Sequence, residues 1–159
     1  MIDQTLQAGL RRHHFVEGFE PAHVDKLAAL AKPVRFERDH VLFHEGDECN
    51  DFYLITSGLI ALEVEEPGST LRVQTLSAGD ELGWSALLMA SGKFFQARAL
   101  DRVEALAFDG PALLAECKQD TAFGFAFMQK LLGVLAARLQ ATRLQVHDLY
   151  SPVAKRAGT

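Results

Sequence analysis

The feature that most constrains the fold is a run of short alternating segments between Val34 and Phe108. In one of them Ile60, Leu62 and Val64 alternate with small or charged residues, and residues 71–74 and 95–99 follow the same rule. A period of two with a polar opposite face is typical of half-buried β-strands. Turn chemistry separates the segments at Glu45-Gly46-Asp47, Ser57-Gly58, Glu66-Pro67-Gly68-Ser69 and Ala78-Gly79-Asp80. Strands this short and numerous predict a sandwich or barrel.

Helical patterns lie on both sides of this β segment. Helices are predicted before it at Gln4–Phe15 and Pro21–Ala31, because Pro21 suits a first helical turn and Pro33 stops the helix. After it, a short helix at Ala112–Cys117 precedes a long one at Thr121–Tyr150. These patterns predict a single α+β, mainly β, domain over residues 1–150. It consists of N-terminal helices at 1–32, the β segment at 33–109 and C-terminal helices at 111–150, and a frayed tail is predicted at 151–159.

The long helix carries an apolar stripe with heptad spacing. Its members recur at steps of 4 and 3: Met128, Leu132, Leu135, Leu139, Thr142, Val146 and Leu149. A stripe held over about three heptads is the pattern of a coiled-coil seam, so these residues are predicted to form a homodimer interface. The alternative is a helix that packs on its own β domain.

Charge and composition limit the classes of partner. The formal net charge is −5, and the dense basic pairs, Arg11-Arg12 and Lys155-Arg156, lie near the ends, which disfavours direct DNA binding by this chain. Its longest uncharged stretches have eleven residues, whereas a helix that spans a bilayer needs roughly 20 mostly apolar residues. No membrane span is therefore expected. Cys49 and Cys117 lack metal-ligand spacing and are too few for a disulfide framework, which predicts a cytoplasmic protein without a metal site.

Three segments share their order and glycine turns with a known family. They read VLFHEGDECNDFYLITSGLIALE at Val41–Glu63, LSAGDELGWSALL at Leu76–Leu88 and ARALDRVEALAFD at Ala97–Asp109. Over about residues 15–150 the chain resembles the cyclic-nucleotide-binding domain of the catabolite-activator (Crp/Fnr) superfamily. The resemblance implies an antiparallel β-roll, or jelly roll, flanked by N-terminal helices and a long C-terminal dimerisation helix.

In that family the segment beginning at Gly83 is the phosphate-binding cassette. The family pattern is Gly-Glu-x-Ala/Ser-Leu-Leu, then Pro-Arg and a small residue; the glutamate binds the ribose 2′-hydroxyl and the arginine binds the cyclic phosphate. Here Gly83, Ala86 and Leu87-Leu88 match, but Trp84 replaces the glutamate. With a loop length that differs by one, Gly92-Lys93 stand in place of Pro-Arg, and Phe94-Phe95 follow.

These replacements disfavour cyclic nucleotides as ligands. Tryptophan donates one hydrogen bond and accepts none, so Trp84 cannot receive a hydroxyl proton as a carboxylate does. Lys93 keeps a positive charge without the planar fork that grips phosphate, and on an extended strand Arg98 points to the opposite face. We therefore expect cAMP and cGMP to bind weakly or not at all, and no cofactor to be required.

Two interpretations of the pocket stay open. In the first, a different ligand, anionic or flat and apolar, binds to residues of the cassette, its aromatic wall and the long helix: Gly83, Trp84, Ser85, Ala86, Lys93, Phe94, Phe95 and Thr142. In the second, the aromatic residues fill the pocket, which three neighbouring aromatics do more often than they bind ligands. Thr142 stands where the family places a base-contacting hydroxyl, and it is equally well explained as a polar member of the heptad stripe.

The predicted function is that of a non-enzymatic regulatory or sensor module. A small effector at the cassette would shift the long helix and so alter the dimer or a surface for a protein partner. The alternative is a structural or protein-interaction dimer with a filled pocket. No catalytic residue is predicted, since Gly83-Trp84-Ser85-Ala86-Leu87 lacks the second glycine of a nucleophile elbow. Transcription factors of the family carry a helix-turn-helix after the long helix, so this chain is either a stand-alone sensor or part of a longer protein.

Overall fold

The computed structural model describes residues 4–48, 50–87 and 95–157, with side chains described as far as residue 144. Helices occupy α1 Gln4–Arg12, α2 Pro21–Leu30, α3 Gly110–Gln119 and α4 Thr121–Ala157. Two 3₁₀ turns lie at His14–Val16 and Trp84–Leu87. The strands are β1 Lys32–Phe36, β2 Val41–Phe43, β3 Asp51–Ser57, β4 Ile60–Glu66, β5 Ser69–Leu76, β6 Glu81–Leu82, β7 Gln96–Ala99 and β8 Val103–Asp109.

The strands of the described residues form two four-stranded sheets. Sheet A has the order β1-β8-β3-β6 and sheet B the order β2-β7-β4-β5, and the pairings between neighbouring strands are antiparallel. Alternate residues of both sheets, such as Ile55 and Val103 of sheet A and Ile60 and Ala97 of sheet B, share one buried cluster between the sheets. The predicted antiparallel β-roll is confirmed.

A second core joins the helices to the outer face of sheet A. Its centre is aromatic: the ring of Phe15 lies 5.7 Å from that of Phe52 and 5.3 Å from that of Phe127. These three side chains come from the first 3₁₀ turn, β3 and α4, and each is at most 1% exposed. Burial of a side chain of this size stabilises a fold by about 1.5–3 kcal/mol, so the cluster fixes α4 against the roll.

The heptad stripe of α4 divides between two environments. Met128 and Leu135 pack against the protein's own core, whereas Leu132 and Leu139 are 68% and 71% exposed. Packing on the chain's own β domain therefore accounts for part of the stripe, and other members face outward. Val146 and Leu149 belong to α4, but their side chains lie outside the described part.

The C-terminal end of α4 differs from the prediction. A frayed tail was expected after Tyr150, but the helix continues from there to Ala157. Pro152 did not end it, although a proline inside a helix removes one backbone hydrogen bond. Residues 151–157 are thus part of α4 in this structure, where the sequence predicted a tail.

Residues Thr121–Leu144 of α4 are long and apolar enough to cross a membrane by length and composition. Counting uncharged runs missed this segment, because isolated charges such as Lys130 and Arg138 interrupt them. Core helices of globular folds meet the same criterion, and Phe123, Phe127 and Leu131 of this segment are buried in the protein's own core. The part of the segment that carries these residues is a helix of the protein's own core.

Candidate ligand pocket

A sharp turn carries the chain from β6 into the cassette. Gly83 has a φ of +83°, a conformation that glycine adopts without steric cost, and its carbonyl accepts the amide of Ala86 at 3.0 Å. The 3₁₀ turn that follows buries Ser85 and Leu87 and leaves Trp84 half-buried. Trp84 packs against the helical core, so the cassette is part of the hydrophobic structure around it.

A cavity of about 30 Å³ lies at this turn. The described residues around it come from both sheets, the cassette and α4: Phe43, Leu62, Leu82, Gly83, Trp84, Phe95 and Arg138. Pockets for small molecules usually have volumes of roughly 300–1,000 Å³, and a water molecule occupies about 30 Å³ of liquid. The part of the site that the described residues line therefore has room for about one water molecule.

The structure brings together some of the predicted site residues. Gly83, Trp84 and Phe95 line the cavity, whereas Ser85 and Ala86 lie in the same turn without lining it. Lys93 and Phe94 lie outside the described residues. Of the three aromatic residues of the predicted wall, Trp84 and Phe95 therefore line the cavity, and Phe94 is not among the described residues.

Thr142 does not line this cavity. Its side chain is exposed, and its hydroxyl donates to the carbonyl oxygen of Arg138 one turn earlier, at 3.0 Å. A hydroxyl that bonds to its own helix in this way often belongs to a helix surface. Both interpretations of Thr142, as a polar member of the stripe and as a base-contacting residue, stay predictions.

Arg98 lies on the face of sheet B that points away from the cavity. Its guanidinium binds the carboxylate of Glu63 through two nitrogens, at 3.0 and 2.9 Å, and that of Asp39 at 3.2 Å. Glu63, expected on a polar exposed face, is 3% exposed because Arg98 and Gln96 cover it. Arg98 is therefore fully engaged away from the pocket.

A largely buried ion pair at the cavity was not predicted. Arg138 of α4 donates from Nη2 to the Glu81 carboxylate at 2.7 Å and to the Glu81 carbonyl at 2.6 Å. The side chains of Arg138 and Glu81 are 16% and 8% exposed. Their bond connects the long helix directly to β6 and to the turn that carries the cassette.

The electrostatics of Glu81 reflect this burial. Loss of hydration raises the pKa of its carboxyl group above the usual range, the nearby charge of Asp80 adds to the rise, and attraction to Arg138 opposes it. The ionised form of Glu81 thus depends on Arg138. Removal of either partner would leave a buried polar group without its main interaction.

Helical periodicity could have revealed Arg138. It follows Leu131 by seven residues and Leu135 by three, and both leucines face the core. A charged residue on that face requires a buried partner. Glu81 gave a weaker signal, since a two-residue strand has too little pattern to show which face it presents.

Two facing antiparallel sheets, a turn-borne cassette and a long helix closing the cavity define the cyclic-nucleotide-binding class of regulatory β-rolls. Residues 33–120 match the family model for the cyclic nucleotide-binding domain, and the chain belongs to this family. The Crp/Fnr-type resemblance is confirmed.

Known relatives include a CRP-like cAMP-activated global transcriptional regulator of Mycobacterium tuberculosis, 27% identical over 141 residues. That alignment covers 88% of this chain and 61% of the regulator, so this chain spans less than two thirds of the relative's length. Among solved structures, the Thermus thermophilus catabolite activator protein has a TM-score of 0.71 at 24% identity, covering 87% of this chain and 63% of that one. A cyclic nucleotide-binding domain from Methylobacillus flagellatus KT has a TM-score of 0.79 at 18% identity, covering 94% and 84%. At these identities both structures support the fold alone.

Proposed function

We propose that this chain is a non-enzymatic, cytoplasmic regulatory module of the cyclic-nucleotide-binding fold that responds to an effector other than cAMP or cGMP and signals through α4. The observation that carries the proposal is the arrangement of the cavity. The part that the described residues line is too small for a nucleotide, and one of its walls is a side chain of the helix that would transmit the signal.

The aromatic and ionic residues at the cavity support an altered ligand preference. Trp84 stands where the resemblance places a ribose-binding carboxylate, and Phe94-Phe95 follow Lys93 where it places a small residue. A cyclic nucleotide would have to displace the rings of Trp84 and Phe95 and would find no carboxylate in the cassette position. We therefore propose that this chain differs from the cAMP-activated mycobacterial relative in its effector.

Signal transmission would depend on the link between the cavity and α4. Arg138 is bonded to Glu81 on its core side, and the neighbouring Leu139 points outward. An effector that binds one position of Arg138 more tightly than another would shift the population of α4 positions. The outward surface of α4 would report that shift.

A parallel homodimer along α4 is the assembly that we propose. Phe125, Leu132 and Leu139 are spaced seven residues apart and are 71%, 68% and 71% exposed. Three large apolar side chains in one line on a helix match a coiled-coil seam. Burial of each against a second copy would stabilise the dimer by about 1.5–3 kcal/mol before the costs of association are subtracted.

The cavity volume also favours a second candidate function, a structural or protein-interaction dimer with a filled pocket. In that case Trp84, Phe95 and the Arg138–Glu81 pair would be permanent core elements. A small-metabolite stabilisation screen separates the two functions, because a ligand that binds only the folded state raises the unfolding temperature. A saturable rise for any metabolite supports a sensor.

Binding of cyclic nucleotides can be tested directly in the wild-type chain. Trp84 is the single tryptophan, so its emission reports on the cavity wall. We expect no saturable change with cAMP or cGMP up to millimolar concentration, and no heat of binding in calorimetry. Saturation at micromolar nucleotide, about −8 kcal/mol of binding free energy, would contradict the proposal.

The double variant Trp84→Glu with Lys93→Arg restores the two side chains that the family pattern requires. If their loss alone prevents binding, the variant gains affinity for cAMP. If it gains none, the remaining cavity walls, including Phe95 and Arg138, also exclude the nucleotide.

A further inference from the structure

We infer that Arg138 is the anion-binding residue of this pocket and that the Glu81 carboxylate occupies the place of an oxyanion from an external ligand. This inference rests on the proposed function, because it names the chemical class of the effector for the same pocket. The effector would be a small molecule that presents a carboxylate or phosphate group to Arg138.

The need for an anion follows from the burial of Arg138. Its side chain is 16% exposed, and within the described part of the chain its ion pair is with Glu81. Loss of the counter-charge of a buried guanidinium strongly destabilises the folded state. A ligand that displaces Glu81 must therefore bring a negative charge of its own, and a neutral or cationic ligand would leave Arg138 unpaired.

Arginine also suits the proposed exchange chemically. Its planar fork matches the oxygens of carboxylates and phosphates, and the two groups bind to it in similar geometry. Here Nη2 binds both the carboxylate and the carbonyl of Glu81, at 2.7 and 2.6 Å. An incoming oxyanion could replace the carboxylate while the carbonyl bond keeps Arg138 near the cavity.

Glu81 lies in a place from which its side chain can be displaced. It belongs to β6, a two-residue strand at the edge of sheet A that pairs with β3 alone among the described strands. Burial and the adjacent Asp80 both oppose its ionised form. Movement of this carboxylate toward water would relieve those costs and would not disturb the interior of the sheet.

The exchange would also change the contact between α4 and the roll. The Glu81 carboxylate is a direct bond between β6 and the helix. An external anion in its place would satisfy Arg138 without that bond. Occupancy of the pocket would thus loosen α4 from β6 close to Leu139, on the surface that we propose for dimer contact.

The test uses Glu81→Gln, which removes the internal charge and keeps the size of the side chain. The probes are inorganic phosphate and acetate, each compared with sodium chloride at equal ionic strength. Thermal unfolding and Trp84 emission are followed as each anion is added. We expect Glu81→Gln to respond to at least one of them at a concentration at least tenfold lower than the wild type.

Three further variants make the result specific. Glu63→Gln neutralises another buried, arginine-paired carboxylate on the outer face of sheet B and should show no such gain. Glu81→Gln with Arg138→Gln should lose the gain. Glu81→Asp shortens the side chain by one methylene and keeps its charge, so it should give an intermediate response. It is the test variant if Glu81→Gln folds poorly.

The inference is overturned if neither anion acts on Glu81→Gln or Glu81→Asp more strongly than on Glu63→Gln, or if the gain survives the loss of Arg138. Such a result would leave the proposed function standing, provided that cyclic nucleotides do not bind and the α4 dimer persists. Micromolar cAMP binding by the wild type would instead contradict the proposed function itself.

Discussion

The guanidinium of Arg98 holds the buried carboxylate of Glu63 by two parallel hydrogen bonds, Nε to Oε1 at 3.0 Å and Nη2 to Oε2 at 2.9 Å. Gln96 adds a third bond to the same carboxylate at 3.2 Å. These bonds join neighbouring strands β4 and β7 of sheet B on the face away from the ligand cavity. The planar guanidinium of arginine suits this two-bond arrangement. Since both bonds lie on the face away from the cavity, we infer that Arg98 has a structural role separate from ligand binding.

Substitution of Arg98 by methionine should destabilise the fold, because Glu63 would stay buried without its cation. We expect a loss of about 1–3 kcal/mol in the free energy of unfolding, measured by urea titration at pH 7. Arg35→Met is the matched control, since Arg35 pairs with Glu104 at 3.6 Å on an exposed surface and such pairs contribute about 0–1 kcal/mol. Equal losses in the two variants would contradict the structural role of the Glu63 pair.

Acid should weaken the stabilisation that the Glu63–Arg98 pair gives to the fold. The bonds from Arg98 lower the pKa of Glu63 in the folded state, so the unfolded state binds the proton more readily. The stabilisation is therefore complete above the unfolded pKa, near 4.3, and is lost as pH falls from there through the folded pKa. We expect Glu63→Gln to lose less stability than the wild type between pH 5 and pH 3, followed by thermal unfolding. An unchanged slope would show that other carboxylates dominate acid unfolding.

His13 should produce a separate pH dependence near neutrality. It is 5% exposed; its Nδ1 accepts the amide of Phe15 at 3.1 Å, so the ring proton lies on Nε2, which donates to the Ile55 carbonyl at 3.0 Å. A second proton would have to displace the Phe15 bond, and burial lowers the pKa of His13 in the folded state. The unfolded state therefore binds a proton first, and stability falls as pH drops below about 6.5 toward the folded pKa.

Replacement of His13 by glutamine should remove part of that decline, measured as the change in unfolding free energy between pH 7.5 and pH 5.5. His14→Gln is the neighbouring control, because His14 is exposed and pairs with Glu17 at the surface. We expect the control to keep the wild-type slope. A slope altered by His14→Gln and not by His13→Gln would assign the effect to the surface pair.

Periodicity in the sequence predicted the roll and its flanking helices because most of these elements bury part of one face against the rest of the protein. The alternation around Ile60 and Leu62 and the heptads of α4 are properties of single segments. The cassette turn was predicted as well, since Gly83 and Trp84 belong to one short motif, and both line the cavity.

Periodicity could place Arg138 on the core side of α4, but its partner lay beyond such reasoning, because Arg138 and Glu81 are 57 residues apart and meet only when α4 packs on β6. The burial of Glu63 is likewise not visible in the local pattern, since it depends on side chains from β7, 33 residues away for Gln96. Local patterns show which face is apolar. They do not show which charged side chain on the other face is covered.

Gly58 should be intolerant of any side chain. Its φ is +90°, and an added Cβ would collide with the carbonyl oxygen of Arg102 and lie 2.8 Å from the Cα of Val103. Gly58→Ala should therefore lower the unfolding free energy by more than about 1 kcal/mol, the usual scale of backbone strain of this kind. Gly68→Ala separates the two causes, because Gly68 has a φ of +83° but no atom within 4 Å of the added Cβ. We expect the larger loss at Gly58, measured by urea unfolding, and equal losses would leave backbone conformation as the sole cause.

The exposed part of the α4 stripe should control assembly. Leu139→Glu places a charge in the proposed seam without disturbing the chain's own core, since Leu139 is 71% exposed. Burial of an unpaired charge between two helices costs several kcal/mol, so this variant should sediment as a monomer at concentrations where the wild type is a dimer. The heptad pattern alone makes Leu135→Glu an equal test of the dimer. It is a poorer test in this structure, because Leu135 packs against the chain's own core and its replacement would also destabilise the fold.

Leu71→Glu is the matched control for assembly, since Leu71 is an exposed leucine of β5 at 53% and lies outside α4. It should leave the dimer intact. Thermal unfolding of all three proteins shows whether each variant is folded, which separates loss of assembly from loss of structure. A wild-type chain that remains monomeric at high concentration would refute the seam, and the exposed side chains of Phe125, Leu132 and Leu139 would then be available to a different protein partner.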